Sequence, residues 1–145
     1  MPKLSVIGAG TMGTGIAQVA ATAGWDVVIN DANHEMMEMA SQNLVKVMNR
    51  LVEKEKISQE EADKILGRVD FTDDKSYFEN SDLVIEAIVE NLEIKQKVFK
   101  VVEEIVRPDT IIASNTSSLS LASIGSVLHD PSRFVGIHFF NPAPL

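Results

Sequence analysis

Val6-Ile7-Gly8-Ala9-Gly10-Thr11-Met12-Gly13 is the stretch whose reading decides the fold. Two apolar residues end a strand, three glycines shape a turn, and a helix begins. Gly8 to Gly13 fits the G-x-G-x-x-G pattern of a turn that holds the pyrophosphate of a dinucleotide. In that pattern Gly8 permits the tight turn, Gly10 lets the backbone approach the phosphates, and Gly13 lets the helix pack on the strand. The N–H groups opening the helix, at Thr11, Met12 and Gly13, face the phosphates at its positive end. Glycines also serve plain turns, so the context matters: a strand before, a helix after, and an acidic residue at the end of the next strand.

Working outward, residues 3–8 read as a buried strand and residues 11–24 as a helix. Ile16, Ala17, Val19, Ala20 and Ala23 mark the helix's apolar face, and Gly24 suits its C-cap. Residues 26–31, Asp-Val-Val-Ile-Asn-Asp, form the second strand of a βαβ unit. Asp31 follows Gly13 by 18 residues. A carboxylate there accepts hydrogen bonds from the adenosine ribose and repels a 2′-phosphate. One unit-charge pair at 4 Å is worth about 4 kcal/mol at an effective dielectric of ~20. Ala32 and Asn33 bring no compensating arginine, so the expected cofactor is NAD, not NADP.

Asn33 is placed to cap a long helix to about Lys54, with Met36, Met39, Ala40, Leu44, Val47, Met48 and Leu51 on its apolar face. Ser58 and Glu61 make a capping box for a shorter helix ending near Gly67. This pair, at about 33–67, is inserted where one crossover helix would suffice. Its methionine-rich face reads equally as core or as a surface for a ligand tail or partner. Strands follow at 68–72, 82–86, 110–114 and 133–138, with helices capped by Asn91 and spanning about 119–128. The fold class is therefore α/β: a doubly wound, mostly parallel Rossmann-type sheet carrying an inserted helix pair, in one domain over residues 1–145.

Net charge is −8 and the basic residues are scattered, which sets nucleic acid aside. No apolar run approaches the ~20 residues of a membrane span. The absence of cysteine removes disulfides and thiolate chemistry. The N-terminus enters a strand at once, without a charged and then apolar leader, so a cytoplasmic protein is expected.

Three later stretches carry a resemblance: Glu86-Ala-Ile-Val-Glu-Asn91, Ala113-Ser-Asn-Thr-Ser-Ser118 and Gly136-Ile-His-Phe-Phe-Asn-Pro142. In this order after the glycine turn, the chain resembles the 3-hydroxyacyl-CoA dehydrogenase family along its whole length, and its bacterial 3-hydroxybutyryl-CoA branch most. The resemblance implies NAD-dependent oxidation of a 3-hydroxyacyl-CoA to the 3-ketoacyl-CoA, and the reverse, within fatty-acid or butanoate metabolism. It implies His138 as the catalytic histidine, which suits a residue at the end of a strand where doubly wound folds gather ligands. A neutral imidazole there takes the substrate hydroxyl proton and returns it in reduction. His34 and His129, outside any motif, read as ordinary surface residues.

The same resemblance places Ser117 near the substrate oxygen and the nicotinamide, Asn141 as orienting that site, and Asn115 at the nicotinamide ribose. It places Ala87, Glu90 and Lys95 along the cofactor's wall. For Glu90 and Lys95 an exposed ion pair is an equal alternative, worth under ~1 kcal/mol. The family also carries a glutamate about a dozen residues beyond the histidine, and a second, helical domain for dimerisation and the acyl chain. Neither falls within 1–145, so a truncated cofactor half with little activity of its own is expected. The alternatives are a non-catalytic NAD-binding relative, a dehydrogenase with its catalytic lysine in the next domain, and a piece of a multifunctional fatty-acid oxidation subunit.

Overall fold

Strand β1 (Lys3–Ile7) lies inside the sheet and is the strand the rest is laid against. In this computed structural model, which describes residues 1–116 and 119–139, it pairs in parallel with β2 (Asp26–Asn30) on one side and with β4 (Leu83–Glu86) on the other. β3 (Val69–Thr72) extends the first side, and β5 (Ile111–Ser114) and β6 (Phe134–Gly136) extend the second. The order β3-β2-β1-β4-β5-β6, all parallel, reverses direction between β1 and β4. Ligands of open α/β sheets bind at the carboxyl ends of the strands at that reversal.

Each face of the sheet buries its own core. Leu4, Val6, Val27, Ile29 and Ile85 pack against α1 (Thr11–Thr22), α2 (His34–Glu53) and α3 (Gln59–Gly67). Ile7, Val84 and Ile112 pack on the opposite face with Phe78, Ile124 of α5 (Leu121–Gly125), and Phe99 and Val102 of α4 (Leu92–Ile105). Phe99 and Phe134 meet edge to face with centroids 5.1 Å apart, a contact worth about 0.5–1.5 kcal/mol beyond its buried area.

The helices begin and end where local chemistry directs. Asn33, Ser58 and Asn91 each accept the backbone N–H three residues on, at 3.1, 3.1 and 3.0 Å. α1 ends in a Schellman motif: Gly24, at φ +97°, donates to Ala21, and Trp25 donates to Ala20.

The α/β class, the inserted pair and the strand positions agree with the sequence reading. Three details differ. The expected helix over 119–128 is helical only from Leu121 to Gly125, because Ser120 caps it and Gly125 packs against the Phe134 ring. Val19, Met36 and Met39, expected on inward faces, are exposed. They line a groove of 720 Å³ between α1 and α2, which also includes Gly10 and Thr11 and reaches Arg50 and Lys54. The last strand stops at Gly136, two residues short of His138.

Candidate cofactor site at the carboxyl edge of the sheet

The final register positions of the six strands form one row: Thr72, Asn30, Ile7, Glu86, Ser114 and Gly136. Four of the six carry polar side chains, all of them on the α4 face. Above this row sit the turns that follow each strand, and with them most of the residues singled out from sequence.

The glycine turn is built by close packing. A Cβ on Gly13 would stand 1.9 Å from the Gly8 carbonyl oxygen, and one on Gly8 would stand 2.6 Å from that of Ala87. Gly8 also holds φ +113°, a conformation that favours glycine. A Cβ on Gly10 would meet nothing within 4 Å. The three glycines thus differ in kind: two are contacts within the fold, and the third faces open space beside the start of α1. Gly10 is the N-cap of α1, and no side chain caps the helix there. Uncapped N–H groups at a helix N-terminus next to an open glycine fit a bound phosphate.

Asp31 closes the other side of the turn. Its Oδ2 accepts the Ala9 N–H at 2.9 Å and its Oδ1 accepts the Asn33 N–H at 2.8 Å. Each oxygen retains a lone pair, so the carboxylate can hold the turn and accept ribose hydroxyls together. Asn30, in the row beneath, is buried, and its Nδ2 has no hydrogen-bond partner among the described residues.

On the far side, Glu86 is fully buried at the end of β4. Its carboxylate accepts from the Lys95 ammonium, from the Ser114 hydroxyl and, at 2.8 Å, from the Ile88 N–H. Lys95 is fully buried as well and pairs with Glu90 at 3.0 Å. Glu90, whose side chain is 37% exposed, accepts from the Thr116 hydroxyl at 2.6 Å. The Glu90–Lys95 pair is therefore not an exposed one. The ammonium lies beneath the surface between two carboxylates, and Glu90 is the member at the rim.

Asn115 follows β5. Its Oδ1 accepts the Phe139 N–H at 2.9 Å, and the Ile137 N–H donates to the Ser114 carbonyl at 3.0 Å. These two bonds flank His138, which is exposed at the same edge. Ala87 stands next to the glycine turn. Ser117 and Asn141 lie outside the described residues. His34, just beyond β2, pairs with Asp73, just beyond β3, at 2.8 Å, and both side chains are exposed. Among the described residues no cluster of His, Asp and Glu could hold a metal ion, and no helix is long and apolar enough to cross a membrane.

Sequence reasoning passed over Glu86, Ser114 and Thr116, although all three stand inside the quoted motifs. The available signal was Glu86 itself: a carboxylate closing the apolar run Leu83-Val84-Ile85 must be buried and must find partners.

The sequence model described as "3-hydroxyacyl-CoA dehydrogenase, NAD binding domain" matches residues 3–145. A probable 3-hydroxybutyryl-CoA dehydrogenase of Deinococcus radiodurans is 46% identical over 99% of this chain and 51% of its own length. The crystal structure of 3-hydroxybutyryl-CoA dehydrogenase from Escherichia coli superposes with a TM-score of 0.97 at 38% identity, over 99% of this chain and 30% of that one. That of (S)-3-hydroxybutyryl-CoA dehydrogenase from Ralstonia eutropha gives 0.95 at 36%, over 99% and 50%. The chain spans about half the length of the curated relatives it matches.

Proposed function

The chain belongs to the 3-hydroxyacyl-CoA dehydrogenase family and matches its NAD-binding domain, and on that premise we propose that it serves the oxidation of a 3-hydroxyacyl-CoA to the 3-ketoacyl-CoA, and the reverse, with NAD. The observation that carries this reading is the convergence of the glycine turn, Asp31, Glu90 and His138 on one sheet edge at the strand reversal.

In this reading Gly8, Gly10, Thr11, Met12 and Gly13 receive the pyrophosphate, and Asp31 receives the adenosine ribose. The turn and ribose positions are then fixed relative to each other by the Ala9–Asp31 bond. Ala87, Glu90, Lys95 and Asn115 form the wall of the nicotinamide half, with Lys95 acting from behind Glu90. NAD supplies the hydride acceptor. The imidazole of His138 accepts the proton of the substrate's C3 hydroxyl in oxidation and donates it to the carbonyl oxygen in reduction. Ser117 and Asn141 are assigned beside His138 by the family motifs they complete. Asn115 has a second part, because its side-chain carbonyl holds the segment bearing His138.

Fluorescence titration of the chain with NADH and NADPH, together with an assay of 3-hydroxybutyryl-CoA oxidation with each oxidised cofactor by the chain joined to the remaining half of a relative, tests the proposal. Binding of NADH with marked preference over NADPH, and turnover that depends on His138, are the expected results. Equal affinity for the two reduced cofactors would remove the role given to Asp31. Turnover unaffected by His138→Ala would remove the mechanism.

A further inference from the structure

Glu86 has no role in the reading above, yet its fully buried carboxylate gathers three donors. We propose that Glu86 is a positioning residue that sets the nicotinamide half of the cofactor site through Lys95 and Glu90. This rests on the reading of the edge as an NAD site.

The burial of this group asks for an explanation. An ion pair with no exposure gives little net stability compared with well-packed apolar side chains, since both ions lose their hydration. What Glu86 does instead is fix geometry. One carboxylate gathers three donors from three pieces of chain: the Ile88 N–H on the loop after β4, the Ser114 hydroxyl on β5, and the Lys95 ammonium on α4. The loop bond pins Ala87 and Ile88 back toward the glycine turn, where the Ala87 carbonyl packs on Gly8. The bond to Lys95 sets an ammonium that in turn holds Glu90 at 3.0 Å. Glu90 is tied from its other oxygen to Thr116. Position is thus handed from a buried carboxylate to a rim carboxylate through one cation, with a hydroxyl from the β5 side closing the arrangement.

The direction of the cofactor follows from the fold. Asp31 takes the adenosine ribose beyond β2, and the glycine turn takes the phosphates beyond β1. The rim of β4 and β5 is left for the nicotinamide and its ribose. Glu86 itself is fully buried and does not reach a ligand there. Its influence passes through the residues it holds, and it should fall on one end of the cofactor only.

That asymmetry gives the test. Glu86→Gln keeps the size of the side chain and leaves Lys95 paired with Glu90. The chain and this variant are titrated with NADH and with ADP, which carries the adenosine and both phosphates but no nicotinamide half. The expected result is a loss of about tenfold or more in NADH affinity, the scale of one charge-assisted hydrogen bond. ADP affinity should stay within about twofold. Equal losses for both ligands would overturn the proposal, because they would mean a general loosening of the fold. An unchanged NADH affinity would overturn it as well.

Glu86→Gln combined with Lys95→Met removes the buried pair together and covers the case in which the single variant does not fold. It should melt closer to the parent than the single variant does and keep the selective loss of NADH. Parental NADH affinity in the double variant would refute the role of Glu86. Failure of the parent chain to bind either NADH or ADP would instead refute the cofactor site on which the proposal stands.

Discussion

The carboxylate of Asp31 accepts the backbone N–H of Ala9 at 2.9 Å, so the residue we assign to the ribose also holds the glycine turn. Ligand preference and turn geometry are therefore joined in one side chain. Asp31→Asn keeps an acceptor for Ala9 and loses the charge. Its NADH affinity should fall by about tenfold, the scale of a charge-assisted hydrogen bond, while its discrimination against NADPH narrows. Asp31→Ala also frees the Ala9 N–H and should lose a further ~1 kcal/mol of stability. Titration with both cofactors and a thermal melt separate the two effects. Identical melts for Asn and Ala would disprove the coupling.

Gly10 and Gly13 should respond in opposite ways to the same substitution. A Cβ at Gly13 would sit 1.9 Å from the Gly8 carbonyl, a backbone atom that cannot move aside cheaply. Gly13→Ala is expected to lose more than ~2 kcal/mol through overpacking or to fail to fold. Gly10 has φ −71° and open space around its Cβ direction. Gly10→Ala should melt like the parent and yet lose NADH affinity, because the methyl occupies the approach of the phosphates. Retention of NADH binding by folded Gly10→Ala would contradict the assignment of that space.

His138 is exposed, and exposed substitutions usually fall within about ±0.5 kcal/mol. His138→Ala should leave the melting temperature and NADH titration nearly unchanged. Oxidation of 3-hydroxybutyryl-CoA should drop by about 10²–10⁴-fold, the usual contribution of a positioned general base. Asn115→Ala should lower the same rate while leaving His138 in the chain, since Asn115 holds the Phe139 N–H. An unaltered rate in Asn115→Ala would mean that the segment needs no such anchor.

Acid stability has a marker on the opposite edge of the sheet. Asp82 accepts the Lys3 N–H at 2.8 Å and the Arg107 guanidinium at 2.8 Å. These bonds, the one from Lys3 foremost, hold its carboxyl below the ordinary value of 3.8. A carboxylate with a lowered folded pKa adds stability that is complete above its unfolded pKa and is lost as the pH falls through the folded one. The parent should therefore lose this contribution below about pH 4, and Asp82→Asn should show a shallower decline there. Melting curves collected down that limb test it, and parallel declines would refute it.

Much of this was legible because local chemistry and global fold agree. Asn33, Ser58 and Asn91 announce their helices and cap them. The apolar runs around Val6, Ile29, Ile85 and Ile112 announce the buried strands of a sheet covered on both faces. The exposure of Val19, Met36 and Met39 was not legible, since helical spacing cannot say how far apart two helices stand. The Glu86–Lys95–Glu90 arrangement was hidden for a related reason. From sequence, Glu90 and Lys95 fitted an exposed ion pair as well as the cofactor's wall, and only the depth at which α4 meets the sheet puts the ammonium below the surface. Nor does any pattern announce the Ala9–Asp31 bond, which depends on how closely two strand ends approach.

The two walls of the crevice have very different histories along the chain. The bond between Ala9 and Asp31 spans 22 positions, whereas β4 is fastened to the start of β1 by the contact between Lys3 and Asp82, which spans 79. Closing the longer loop costs more entropy and slows the pairing that depends on it. The β1–α1–β2 unit can thus assemble before the crevice exists, and the crevice is complete only once β4 has docked. A ligand that needs both walls binds only chains that have taken that step, and by mass action it draws the population toward them. In refolding, NADH fluorescence would then time the arrival of β4, not the formation of the glycine turn.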